Sequence, residues 1–244
     1  MSLQFILGNS GSGKSSFLYQ KVIEESMAHP MESYLILVPE QFTMQTQKEL
    51  VSLHPKHAIM NIDVLSFNRL AFRVFDELGK TDFVVLEETG KNLVLRKVAG
   101  EKKKELPVLG TNLKKMGYIS EVKSLLSEFM QYNVTPEMLE ELTGEGKTSS
   151  FSYKMRDVLT MYRGFLDYVE GTYITAEEIL DLLAELADDS ALLRGSTLVF
   201  DGFTGFTPNQ NKLLTVLFPL VKDVLVTVSM DCLLYTSDAA DDTP

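Results

Sequence analysis

The sequence predicts an α/β fold, a P-loop domain built on a parallel sheet and interrupted by an all-helical insertion. Three observations predict it. Short apolar runs at Leu3–Leu7, Tyr34–Val38, Ile62–Leu65, Thr197–Phe200 and Asp223–Val228 are separated by helix-forming segments, and strands alternating with helices build parallel sheets. Gly8-Asn9-Ser10-Gly11-Ser12-Gly13-Lys14-Ser15 matches G-x-x-x-x-G-K-[ST] and falls between the first apolar run and a helical segment. From residue 84 to residue 195 strand-like alternation gives way to helical periodicity. The expected organisation is 1–83 and 196–231 as the two parts of the P-loop domain, with 84–195 inserted between them.

Taken in order, Leu3–Leu7 reads as a buried strand and residues 16–27 as a helix, so the glycines occupy a strand-to-helix turn. Glycine lets the backbone curl until successive N–H groups face a phosphate, and the helix adds the positive end of its dipole. Gly8 through Ser15 are therefore the candidate nucleotide-binding residues for ATP. Lys14 would reach the β- and γ-phosphates, and the Ser15 hydroxyl would ligate Mg²⁺. The plainer alternative is a Gly/Ser-rich loop with a chance lysine, and the strand and helix on either side argue against it.

The second run, Tyr34–Val38, stops at Pro39, and a helix is expected from Glu40 to about Leu53. The third, Ile62–Leu65, leads into a helix near Ser66 with Leu70, Val74 and Leu78 on one face. Ligands on parallel sheets bind at the carboxyl ends of the strands. This makes Gln41 and Phe42, then Ser66, Phe67 and Arg69, candidates for gripping a single nucleic-acid strand by stacking and hydrogen bonding. The alternative for either phenylalanine is a core position at the start of an amphipathic helix.

In the insertion, Ile119, Val122, Leu125, Leu126, Phe129 and Met130 share one helical face, as do Met155, Val158, Leu159, Tyr162, Leu166 and Val169. Both stripes read as core. Thr135-Pro136 and the pair Thr175 and Glu178 mark helix starts. Residues 91–123 carry nine basic side chains against three acids, including Lys102-Lys103-Lys104 and Lys114-Lys115; a solvated face and a phosphate-backbone contact are both open. The sheet then resumes. Thr197–Phe200 ends in Asp201, the position at an apolar strand tip from which P-loop NTPases hold Mg²⁺. Gly202 follows, where hydrolytic members carry the glutamate that activates water, so binding without fast hydrolysis is expected.

Composition sets outer bounds. The chain has 244 residues, 45% hydrophobic, and a formal charge of −11, which argues against a general DNA-coating protein but leaves a local basic groove possible. No apolar run reaches membrane-spanning length, and the first strand starts almost at the N-terminus with no signal segment, so no membrane and a cytoplasmic location are expected. His29, His54 and His57 have no acid or cysteine at ligand spacing and are expected at the surface. Residues 232–244 back-translate to a transposon end and adaptor used in sequencing libraries, and are expected to be a non-native read-through tail. Setting them aside removes the single cysteine, Cys232, and the acids Asp238, Asp241 and Asp242, and implies an N-terminal fragment of a longer protein.

GNSGSGKSSF, LVPEQFTMQTQKEL, DVLSFNRLAFRVF and VFDGFTGFTPNQNKLL, in this order, resemble the N-terminal part of the AddB subunits of bacterial AddAB helicase–nucleases. The resemblance spans essentially all of residues 1–231. It implies a superfamily 1 helicase fold of the UvrD type, with a RecA-like 1A domain and a helical 1B-like insertion. Residues 8–15 correspond to motif I, Pro39–Thr43 to the region of motif Ia, Val64–Asn68 to motif Ib, and Asp201–Gln210 to motif II. It implies ATP and Mg²⁺ as cofactors, with Ser15 and Asp201 on the metal. It further implies DNA as partner, both single strand and duplex end, and an AddA-type helicase–nuclease subunit in a heterodimer that processes double-strand breaks for recombination repair and reads a hotspot sequence. The nuclease domain and an iron–sulfur cluster belong, by the same resemblance, to the missing C-terminal part. Two departures matter: Asp201-Gly202-Phe203-Thr204-Gly205 replaces the Asp-Glu-x-Gln-Asp of active motors, and no adenine-reading glutamine motif precedes Leu3. The resemblance accordingly implies a subunit that is not itself an active helicase. A small-molecule P-loop kinase with a helical lid is the competing class, although its arginines would need to converge and Arg69, Arg73, Arg96, Arg156, Arg163 and Arg194 are scattered.

Overall fold

The computed structural model describes residues 2–80, 82–110, 112, 116–143 and 150–230. Lys114, Lys115 and the tail from residue 232 lie outside the described residues. The described residues form two compact units, one drawn from residues 2–80, 182–206 and 211–230 and the other from residues 82–181 and 207–210.

The first unit opens with β1 (Leu3–Gly8), α1 (Lys14–Ala28), β2 (Ser33–Leu37), α2 (Thr43–Leu53), β3 (Ile62–Leu65) and α3 (Phe67–Glu77). Between β2 and α2 the chain makes a 3-10 turn at Glu40–Phe42, so the regular helix starts at Thr43 and not at Glu40 as the sequence pattern suggests. Pro39 lies in extended backbone ahead of this turn, and the Thr43 hydroxyl donates back to the Glu40 carbonyl at 3.0 Å. The break leaves Gln41 and Phe42 at the surface, outside the regular helix. Ser66 caps α3 by accepting from the Arg69 N–H at 3.4 Å, and the helix buries Leu70, Ala71, Val74 and Phe75 along one face.

The second unit contains β4 (Val85–Leu86), α4 (Glu88–Glu101), α5 (Met116–Gln131), α6 (Pro136–Thr143), α7 (Ser150–Val169) and β5 (Ile174–Thr175), and runs into the first turn of α8 (Glu178–Leu186). Both apolar stripes form its core: Ile119, Val122 and Leu126 are buried with Val158, Leu159, Tyr162 and Val169, and the other stripe residues pack against them. Thr175 and Glu178 form a reciprocal cap, Glu178 Oε2 accepting from Thr175 N at 2.7 Å and Thr175 Oγ1 from Glu178 N at 3.4 Å. The unit is not wholly helical. Its strands β4 and β5 pair in parallel, and two residues are too few to show alternation in a sequence.

One member of the basic run is not on a surface at all. Lys91 is 1% exposed, with Nζ at 2.9 Å from both Glu177 oxygens, 3.2 Å from Glu88 Oε1 and 3.3 Å from Ser127 Oγ. Burying an ammonium group is costly unless it is paired and hydrogen-bonded, and these contacts meet that need. Lys123 also pairs with Glu88, and that hydrogen bond draws the Glu88 carboxyl below its usual range.

The first unit is completed by α9 (Ala191–Arg194), β6 (Ser196–Phe200), α10 (Pro208–Leu220, whose first turn belongs to the second unit) and β7 (Asp223–Ser229). Residues 182–195, read from the sequence as insertion, pack with the sheet instead: Leu183, Ala187 and Leu193 are fully buried, and Glu77 accepts from Ser190 Oγ and from Leu192 N at the start of α9. The sheet is parallel throughout, in the order β1-β7-β6-β2-β3. Strands β2 and β6 sit inside it and are buried almost end to end, which is why they read as continuous apolar runs. Leu18, Tyr19, Val22 and Ile23 of α1 pack with Tyr34, Ile36, Val199 and Leu225 on one face. Parallel strands share one carboxyl edge, so the loops after β1, β2, β3 and β6 emerge together there.

Candidate nucleotide and nucleic-acid site

Gly8–Ser15 forms the turn from β1 into α1. Gly13 is the N-cap of α1 at φ 84°, a left-handed conformation that any other residue would adopt only with strain. No side chain caps the helix and no acid lies in its first turn, so its N-terminal N–H groups and dipole face an exposed loop, the arrangement that binds phosphate. Lys14 folds back over the loop, Nζ donating to the Gly8 carbonyl at 3.0 Å and the Asn9 carbonyl at 2.7 Å.

Strand order brings the second half of the site alongside. Phe200 at the end of β6 pairs with Val226 on β7, and Thr227 pairs with Ile6 on β1, so Thr227 lies between Asp201 and the P-loop strand. Asp201, 5% exposed, is held by three hydroxyls. Its Oδ1 accepts from Ser15 Oγ at 3.0 Å and from Thr227 Oγ1 at 2.6 Å, and its Oδ2 accepts from Tyr19 OH at 2.6 Å. Burial, and next the hydrogen bond to Asp201, push the Tyr19 phenol well above its usual range. Ser15 and Asp201 are 186 positions apart in sequence, and the fold places them in contact. Their hard oxygens suit Mg²⁺, which takes one or two protein oxygens and fills the remaining positions with phosphate and water. Among the described residues no cluster of three or more His, Cys, Asp or Glu side chains could hold a metal.

Gly202 follows at φ 75°. A β-carbon there would lie 3.7 Å from Pro39 Cδ and 3.9 Å from Phe42 Cδ2, so the Phe42 ring stands beside the position after the buried aspartate. Gln41 and Phe42 are both exposed, Phe42 by 43%. Arg69 is exposed too, but its Nε pairs with Glu40 Oε1 at 3.2 Å, a surface ion pair of small energetic weight. The other two nucleic-acid candidates are built into the fold. Ser66 is the buried cap of α3, and Phe67, 5% exposed, packs its ring against Phe200, Phe203 and Phe206 with centroids 6.3, 5.6 and 6.1 Å away. Of the two phenylalanines only Phe42 presents its ring to the surface, because Phe67 is spent on the core.

Tyr19, Thr227 and Thr46 escaped the sequence reading; Thr46 Oγ1 lies 3.4 Å from Tyr19 OH. A threonine inside the apolar β7 run was the one available signal. Of the three histidines expected at the surface, His54 is instead buried and accepts from Lys56 N at 3.1 Å through Nδ1. Among the described residues no helix is long and apolar enough to cross a membrane.

A family model described as ADDB, N-terminal matches residues 5–243, and so runs through the stretch set aside from the sequence as a non-native tail. The chain is 49% identical over 232 residues to the B subunit of the ATP-dependent helicase/deoxyribonuclease of Lachnoclostridium phytofermentans, covering 95% of this chain and 20% of that protein. It is 33% identical to the protein of the same name from Alkaliphilus metalliredigens over 95% of this chain and 20% of that one. With the Clostridioides difficile protein of that name it shares 31% identity over 96% of this chain and 21% of that one. The chain spans about a fifth of the length of these curated relatives.

Proposed function

We propose, because this chain belongs to the AddB N-terminal family, that it is the nucleotide- and DNA-binding, helicase-like portion of the B subunit of an ATP-dependent helicase–nuclease. The observation that carries the reading is the Ser15–Asp201 contact of 3.0 Å beside an open helix N-terminus. In this reading the sheet unit is a RecA-like 1A domain and the helical unit a 1B-like insertion. The loop N–H groups and Lys14 hold the phosphates of ATP, Lys14 exchanging the Gly8 and Asn9 carbonyls for phosphate oxygens. Ser15 and Asp201 would hold Mg²⁺, which when bound would neutralise phosphate charge.

The site binds ATP as a switch and hydrolyses it slowly. Gly202 supplies no carboxylate to take a proton from water. Bound nucleotide would favour one arrangement of the strand-end loops, changing DNA affinity without driving translocation. Gln41, Phe42 and Arg69 meet the single strand, Arg69 exchanging Glu40 for phosphate. The whole protein would act in the cytoplasm with an AddA-type partner on duplex ends in double-strand-break repair, and its nuclease and iron–sulfur parts would lie outside this chain.

Isothermal titration of Mg·ATP into the 244-residue chain and its Lys14→Ala variant tests the site. Wild type binds and Lys14→Ala binds more weakly, with an unchanged circular dichroism spectrum. Equal affinities would remove Lys14 from the site.

A further inference from the structure

We infer that Tyr19 is a positioning residue for the divalent cation, fixing one oxygen of Asp201 so that the other is presented beside Ser15. The inference rests on the reading of this site as one for Mg²⁺ and nucleotide, and assigns within it a residue outside the phosphate-binding loop. Tyr19 lies four positions after Ser15 on α1, so one face of one helix carries both donors to Asp201. The two donors take different oxygens. Tyr19 OH takes Oδ2 at 2.6 Å, and Ser15 takes Oδ1 at 3.0 Å together with Thr227 at 2.6 Å.

The Tyr19 ring cannot swing away. It is 3% exposed and packed among Leu18, Val22, Tyr34 and Val199 in the core between α1 and the sheet. Its hydroxyl has one proton, which goes to Asp201, so towards Thr46 Oγ1 at 3.4 Å it acts as acceptor. The phenol is thus oriented from both sides, and rotating the carboxylate would break a short bond to a charged acceptor. The donors holding Asp201 are neutral hydroxyls, which orient its charge without neutralising it. What remains is a fixed anion whose Oδ1 and Ser15 Oγ form one edge of a hard oxygen site, suited to Mg²⁺ or its analogue Mn²⁺.

Tyr19→Phe keeps the ring and removes the hydroxyl, and the readout separates positioning from packing. In the full 244-residue chain, Mn²⁺ affinity is measured by electron paramagnetic resonance with ADP present, and ADP affinity is measured in EDTA by titration calorimetry. Tyr19→Phe weakens Mn²⁺ binding about ten-fold, the effect of losing one hydrogen bond to a charged group, and leaves ADP affinity in EDTA unchanged. Thr46→Val, which removes the group that orients the phenol while sparing its bond to Asp201, weakens Mn²⁺ binding by a smaller factor. Unchanged Mn²⁺ affinity in Tyr19→Phe, or an equal loss of ADP affinity in EDTA, would overturn the inference while nucleotide binding lost in Lys14→Ala left the site reading standing. A wild-type chain that binds no ADP would overturn both.

Discussion

Replacing Gly202 with alanine tests the left-handed backbone that follows Asp201. Gly202 is at φ 75°, where an L-residue pays about 1–2 kcal/mol because its β-carbon crowds the following carbonyl. Steric contact with neighbours adds little, since the nearest atoms to an added β-carbon, in Pro39 and Phe42, lie at the ordinary van der Waals distances of 3.7 and 3.9 Å. The expected destabilisation of Gly202→Ala is therefore about 1–2 kcal/mol, a lowering of the urea midpoint by roughly 0.5–1 M at the usual denaturant dependence, followed by far-ultraviolet circular dichroism. An unchanged midpoint would show that the residue is not held in a left-handed conformation. A loss above about 4 kcal/mol would indicate overpacking, contrary to the distances. The same geometry bears on Gly202→Glu. A glutamate there inherits the backbone strain and projects its side chain towards the proline and the phenylalanine, so the substitution does not restore turnover even though a well-placed general base contributes ~10²–10⁴-fold.

The two phenylalanines at neighbouring strand ends should separate cleanly. Phe67→Ala, which empties a buried position among Phe200, Phe203 and Phe206, destabilises the chain by about 3–5 kcal/mol in the same urea assay. Phe42→Ala changes stability by about 0.5 kcal/mol or less, as exposed substitutions do, yet weakens binding of a fluorescent single-stranded oligonucleotide by the ~1–3 kcal/mol typical of a lost base stack. Phe42→Ala without effect on oligonucleotide affinity would remove it from the nucleic-acid surface.

The Gly8–Ser15 turn, the strand positions and Asp201 at a strand tip are legible because their signals are local, but β1, expected to be buried, is an edge strand with Leu3, Phe5 and Leu7 exposed. The inner strands β2 and β6 are buried almost end to end, which is why their central residues Tyr34–Leu37 and Leu198–Phe200 read as apolar runs. What the sequence hid is set by tertiary convergence. Tyr19 looks like any core aromatic on α1 and Thr227 like any residue of β7, and only the strand order β1-β7-β6 brings both hydroxyls to Asp201. Lys91 read as part of a basic surface because its partner Glu177 lies 86 positions away. Phe42 and Phe67 start neighbouring helices in similar sequence contexts. Pro39 and the 3-10 turn expose the first, and the phenylalanines after β6 enclose the second.

The proposed function has this site holding ATP without working as a motor. Its most direct test is ATP turnover by the full-length helicase–nuclease complex on DNA, with the partner's own motor silenced by a P-loop substitution. Residual DNA-stimulated turnover is predicted to fall short of a translocating motor by about the ~10²–10⁴-fold that general-base assistance supplies. Turnover at motor-like rates that disappears on Lys14→Ala would contradict the account and require a base other than the residue after Asp201.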